Sequence, residues 1–245
     1  MDWSTEIDYY CERSGPGLWD EPLNASTNIT FLIAAAVAVP VVRKITTDLS
    51  ASRLPTLEDP DPDPPPLTVL QIIEFWYLPV GLVAIGACSF LFHTFANRLT
   101  MRLDIISVLL FVFVYLSLFL RHVAGWSRSA VRAWIIMLIF ATAAAQGLYP
   151  SRISNFAPMA VSVALLGWIA WLLDHRAVAR RLWIATALFI LSLTASVNDN
   201  AFCDIWPFGI HFIWHILNSV VLALVVIALG QALDPLESHQ PIDDN

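Results

Sequence analysis

Seven runs of mostly apolar residues, set apart by short polar stretches, organise this chain. They fall at about 24–42, 69–95, 103–121, 130–149, 157–173, 182–197 and 209–231. An apolar run of about 18 residues or more, wound as a helix, is long enough to cross a bilayer. Lipid offers no partner to backbone N–H and C=O groups, so a crossing segment must satisfy its own, as a helix does. The pattern predicts an all-α, polytopic membrane protein built as a bundle of seven transmembrane helices. Runs five and six are the shortest, and their ends are the least sharply drawn.

The intervening stretches set the domain plan. Residues 1–23 form an acidic N-terminal segment, 24–231 the seven-helix domain, and 232–245 a polar tail. Within the domain, 43–66 reads as a Pro- and Asp-rich loop ending Glu58-Asp-Pro-Asp-Pro-Asp-Pro-Pro-Pro66, a composition that cannot build a core. The first 23 residues lack a basic stretch leading straight into an apolar one. A cleaved signal peptide is therefore not expected, and the first span serves as the insertion signal.

Composition fits this plan. The 245 residues are 58% hydrophobic and only 13% charged, with a mean hydropathy of +0.67. The net charge of −7 belongs to the flanks and gives no reason to expect a nucleic-acid partner. Lys and Arg divide unevenly between alternate loops. One set holds Arg43, Lys44, Arg53, Arg121, Arg128, Arg132, Arg176, Arg180 and Arg181, and the other holds Arg13, Arg98, Arg102 and Arg152. The positive-inside rule puts the richer set in the cytoplasm, so the N-terminus is expected outside and the C-terminus inside.

A few polar residues interrupt the spans. His211 and His215 lie one helical turn apart, so their rings share a face and can grip one ion together. His93 closes the second span, Ser89 precedes it by one turn, and Asp104 opens the third. In a seven-span topology all five fall near the non-cytoplasmic face. Three imidazoles leave a fourth position open at zinc, the pattern of catalytic sites. Zinc would activate water, Asp104 supplies the carboxylate that the His-x3-His pair lacks, and Ser89 can donate to a developing oxyanion. Two other readings of the histidines stand at this point: interhelical hydrogen bonding alone, and haem ligation. His122, His175 and His239 sit at or beyond the other ends of the spans and read as interfacial or solvated.

Taken together, Ser89-x3-His93, Asp104 and His211-x3-His215 resemble the alkaline ceramidase family. That family is part of a wider group of seven-span hydrolases that includes the adiponectin and progestin receptors. The N-terminus is similar too: Asp8-Tyr-Tyr-Cys11-Glu12, then Glu21-Pro-Leu-Asn24-Ala-Ser-Thr-Asn28. The resemblance extends from about residue 8 to 231. It implies hydrolysis of the amide of ceramide, or a related N-acyl lipid, to a sphingoid base and a fatty acid. It implies zinc on His93, His211 and His215, Asp104 acting on the activated water, and Ser89 at the oxyanion. It also implies calcium in the N-terminal segment, held by Asp8, the Tyr10 carbonyl, Glu12, Ser14 and Glu21, with Asp20 as an alternative ligand. Here the chain departs from the family pattern. One extra residue separates Asp8 from Cys11, Cys11 stands closer to Glu21, and Ser14 replaces an amide side chain. A solvated acidic segment is the plainer alternative.

The expected partners are the membrane and a ceramide-like lipid substrate, and the sequence does not specify an oligomeric state. A seven-span lipid-binding receptor or scaffold with structural zinc is the alternative function. A transporter suits the cluster less well, because it lies near one face and not at midplane. Of the three cysteines, Cys88 falls in the second span, while Cys11 and Cys203 both fall on the outer side, where disulfides are permitted. A Cys11–Cys203 bond is expected, with two free thiols as the alternative.

Overall fold

A computed structural model describes residues 2–15, 17–51, 67–149 and 151–234. The chain enters through a short helix, α1 (Pro22–Thr27), which gives way at Asn28 to α2 (Ile29–Ala51). There follow α3 (Val69–Phe95), α4 (Arg98–His122), α5 (Arg128–Leu148), α6 (Arg152–Leu172), α7 (Arg176–Val197) and α8 (His211–Ala232). With α1 and α2 counted together, these are seven segments long and apolar enough to cross a membrane. The fold is all-helical, and it fits a seven-span bundle. Large apolar side chains such as Val69, Phe140 and Leu148 point outward, as lipid-facing side chains do.

The span positions follow the hydropathy pattern, but several ends differ. α6 and α7 begin five and six residues earlier than their apolar runs. Arg176, Arg180 and Arg181 are good helix formers, so the helix continues where hydropathy stops. The Pro/Asp-rich loop expected at 43–66 also starts later: α2 continues through Arg43 and Lys44 to Ala51. That stretch is polar but contains no proline. Residues 52–66, with the Asp-Pro run, lie outside the described residues, as does the tail from 235 onward.

Core packing binds α2, α3, α7 and α8 around buried Phe75, Leu82, Leu182 and Val226. α5 is peripheral, burying only Val131 and Leu138. At one end of the bundle Arg121 donates to Glu74, linking α4 to α3 at 2.8 Å. At the other end α3 turns directly into α4. Ala96 takes a left-handed conformation (φ 40°), and Asn97 caps the next helix through the Thr100 amide. The N-terminal segment lies across this turn, with Ile7 N–H bonding the Ala96 carbonyl at 2.7 Å and Arg98 N–H bonding the Thr5 carbonyl at 3.1 Å. Cys11 and Cys203 form a disulfide, with Cα atoms 5.1 Å apart, which fastens the same segment to the loop before α8. Two fasteners thus hold the N-terminus over the end where α3, α4 and α8 meet.

Candidate metal centre

His93 comes from the last turn of α3, and His211 and His215 from the first two turns of α8. All three are at most 3% exposed. Each presents a ligand atom within 4.8 Å of the other two, and their ring centroids are 4.7–5.2 Å apart. Three imidazoles at this separation need only a small inward movement to meet a tetrahedral ion at roughly 2.0–2.1 Å from each nitrogen.

On His93 and His215 the second nitrogen is already committed. His93 Nδ1 lies 2.6 Å from Glu21 Oε2, and His215 Nδ1 lies 2.9 Å from Thr27 Oγ1. The Thr27 hydroxyl donates to the Leu23 carbonyl at 2.9 Å, which leaves its oxygen to accept from an Nδ1–H on His215. That assigns the tautomer and turns the lone pair of His215 Nε2 into the cluster, where it has no hydrogen-bond partner. A buried imidazole nitrogen without a partner is costly, and a metal ion would satisfy it. The outer partners of metal-bound histidines are usually carboxylates, carbonyls or water, and here they include a carboxylate. The residues therefore fit a bound metal. The His211 ring stacks on Tyr10, with centroids 3.8 Å apart and planes at 24°.

The α8 end of the site rests on Asp199, a residue that no sequence motif marks. Its carboxylate is buried and accepts the amides of Ile210 (2.6 Å), His211 (2.8 Å) and Cys11 (2.9 Å). A negative group at a helix N-terminus meets the positive end of the helix dipole and two of its orphan N–H groups. Gly209 makes this approach feasible: its φ is +63°, and a Cβ there would lie 2.2 Å from Asp199 Oδ1.

Beside the triad opens a cavity of about 880 Å³, which Ser89, Asp104, His211 and His215 help to line. The Ser89 hydroxyl faces the Asp104 carboxylate. Away from these groups the wall is mostly apolar, with Ile105, Phe111, Val112, Met159 and Trp214 among its residues and Tyr115 and Asn218 as polar exceptions. Arg102, Gln146 and Asn155 line it from the helix ends nearest the triad. Four of the five residues expected to carry chemistry thus line one space, and His93 adjoins it through its contacts with His211 and His215.

No family model matches the chain, and none of the characterised proteins or solved structures compared with it matches either.

The residues expected to hold calcium are placed differently. Asp8 and Ser14 are exposed. The Tyr10 carbonyl accepts the Arg13 amide at 3.1 Å. Glu12 spends both oxygens on the first turn of α1, accepting Leu23 N–H at 2.5 Å and Asn24 N–H at 2.8 Å. Burial pushes its carboxyl above the ordinary range, against those two amides. Glu21 spends one oxygen on His93 and the other on Arg13 Nε, at 2.6 Å each. Burial alone would raise its carboxyl, but His93 and Arg13 outweigh it and hold the group below the ordinary range. Asp20 accepts the Gly17 amide at 2.8 Å. The Glu12 and Glu21 oxygens are thus spent on protein partners, whereas calcium needs roughly six to eight oxygens. Among the described residues, the cluster of three or more His, Cys, Asp or Glu side chains close enough to hold one ion is the histidine triad.

Thr27, Arg13 and Asp199 gave weak signals in sequence. Thr27 sits in the polar opening of the first apolar run, an unspecified position between the motif residues Asn24 and Asn28, with nothing to mark it as the partner of a histidine 188 residues away.

Proposed function

We propose that this chain is an intramembrane zinc-dependent amidase that hydrolyses a ceramide-like N-acyl lipid. The observation that carries the reading is a buried three-histidine cluster, two of whose members line one largely apolar cavity together with a carboxylate and a hydroxyl. His93, His211 and His215 would hold the ion, with Glu21 and Thr27 fixing the rings of His93 and His215. Zinc would supply Lewis acidity, polarising the amide carbonyl and making water a nucleophile near neutral pH.

The protein's own groups do the rest. Asp104 accepts a proton from the attacking water and returns it to the leaving amine, a general acid–base cycle. Ser89 donates to the carbonyl oxygen as it gains charge. Water and amide become a fatty acid and a free amine, so the reaction consumes no other co-reactant. The apolar wall takes the aliphatic chains, and the polar residues at the helix ends take the headgroup. Such a cavity is within the roughly 300–1,000 Å³ range of ligand sites.

The active site lies on the non-cytoplasmic face in this reading, with the N-terminus outside and the C-terminus inside. Two facts support it. Arg43, Lys44, Arg121, Arg128, Arg132, Arg176, Arg180 and Arg181 lie at or near the helix ends opposite the triad. The Cys11–Cys203 disulfide lies at the triad's end, and disulfides persist in oxidising compartments.

The experiment is a panel of N-acyl amides of varied chain and headgroup, offered to purified wild-type protein and to Asp104→Asn. Release of fatty acid by the wild type, reduced at least 100-fold in the variant with lipid binding retained, supports the reading. Bound lipid with no turnover by either protein points instead to a receptor or scaffold.

A further inference from the structure

The guanidinium of Arg13 occupies a nest of oxygens. Nε donates to Glu21 Oε1 at 2.6 Å, Nη1 to the carbonyl of Gly15 at 3.0 Å, and Nη2 to the carbonyl of His93 itself at 3.3 Å. A third carbonyl, that of Gly17, lies 3.5 Å from Nη1. The Arg13 side chain is 6% exposed and the Glu21 side chain 2%. A carboxylate and several backbone carbonyls are hard oxygen donors of the type a divalent cation takes, yet the positive charge among them is covalently part of the chain.

We infer that Arg13 is a built-in cation, replacing the calcium that the family resemblance implies, and that it positions the metal ligand His93 through Glu21. Arg13 is a positioning residue, and the inference rests on the metal reading of the triad. The geometry is a two-point clamp. Arg13 fixes Glu21 Oε1, so that Oε2 stays aimed at His93 Nδ1, and it also holds the backbone carbonyl of His93. Guanidinium suits this task better than ammonium, because its planar fork presents several donors in fixed directions and stays charged at any working pH. Without Arg13, Glu21 would be a buried carboxylate whose remaining charge partner is a histidine that must stay neutral to bind metal. The chain's spacing agrees: the departures from the family pattern, around Asp8, Ser14 and the shortened approach to Glu21, all lie in the segment that carries Arg13. Calcium at this place would have to displace a guanidinium already neutralised by Glu21.

The test uses the full chain in detergent and measures zinc affinity by competition with a chromophoric chelator. It is run with 1 mM calcium chloride, and separately with a calcium-selective chelator, on wild type, Arg13→Ala and Arg13→Lys. Wild-type affinity is expected to agree within twofold under both conditions. Arg13→Ala is expected to bind zinc about 10–100-fold more weakly, the usual effect of losing an outer partner of a metal ligand. Arg13→Lys keeps the charge but not the fork and is expected to fall between the two, which a purely structural role would not produce. Should Arg13→Ala fail to fold, the wild-type calcium comparison and Arg13→Lys decide the matter, the latter expected at 3–30-fold weaker by the same rule. Calcium binding one-to-one to the wild type and tightening its zinc would overturn the inference, as would variants that match the wild type. A wild-type chain that takes up no zinc ends the metal reading itself, whereas equal binding by all three proteins ends only the role of Arg13.

Discussion

Replacing Asp199 with Ala should destabilise the protein and loosen the metal centre together. The carboxylate accepts three backbone amides: those of Ile210 and His211 at the start of α8, and that of Cys11 across the disulfide-linked junction. Truncation removes this acceptor from the buried His211 amide and from the part-buried amides of Ile210 and Cys11. A buried donor left unsatisfied costs about 1–3 kcal/mol, so about 4 kcal/mol in total is expected for Asp199→Ala. Asp199→Asn can still accept from Ile210 and His211 through its carbonyl but turns an amide toward Cys11, and about 1–2 kcal/mol is expected. Gly209→Ala attacks the same contact from the other side, because its Cβ would lie 2.2 Å from Oδ1 at a positive φ. Combined with Asp199→Ala it should cost less than the sum of the two, as coupled neighbours do. Reversible unfolding in mixed micelles gives the free energies, and zinc competition gives the effect on His211. Asp199→Ala within about 0.5 kcal/mol of wild type, the range of ordinary surface changes, would refute the reasoning.

Three further outcomes are expected. Glu21 has its carboxyl held below the ordinary range in the folded protein, so its contribution to stability is present above the unfolded-state value and is lost as pH falls through the folded one; in acid titrations followed by circular dichroism, Glu21→Gln should flatten that loss, and an unchanged acid limb would contradict it. Thr27→Val removes the acceptor for His215 Nδ1–H and should weaken zinc about 10–100-fold with the helix content kept, whereas wild-type affinity would show that Thr27 does not orient the ring. The Cys11–Cys203 bond spans 192 residues, for which the chain-entropy model gives an upper limit of about 5 kcal/mol; a reductant should lower Tm and raise protease cleavage of the N-terminal segment, and two alkylated thiols in unreduced protein would rule the bond out.

The site was legible to the extent that it obeys local periodicity. His211 and His215 share a helix face by spacing alone, and Ser89 and His93 do likewise, so each helix announces its share of the cluster. Span topology then brings the three helix ends to one level. What periodicity misses is any partner that arrives from outside the spans. Arg13 read as one more loop charge, and Glu21 as an implied calcium ligand and not as the partner of a histidine. Their roles exist only once the segment folds back over the α3–α4 turn, and nothing in the local pattern encodes that return. Asp199 was hidden in the same way, twelve residues before the histidine whose amide it accepts, with a glycine-led turn between them. Helix ends were blurred at Arg176 and at 43–51 because hydropathy measures preference for lipid, while arginine, lysine and leucine extend a helix on either side of that boundary.

The central claim, a zinc-dependent amidase, meets its most direct test in one assay. Purified protein is given a fluorescent ceramide, and release of labelled fatty acid is followed before stripping with a zinc chelator, after stripping, and after zinc is restored, with bound metal quantified at each stage. The account predicts turnover by protein carrying one zinc per chain, its loss on stripping, and its return with restored zinc, but no turnover at any stage by His215→Ala that is folded. Turnover that persists in metal-free protein, or a fully zinc-loaded wild type that leaves ceramide and every other acyl amide intact, would contradict it.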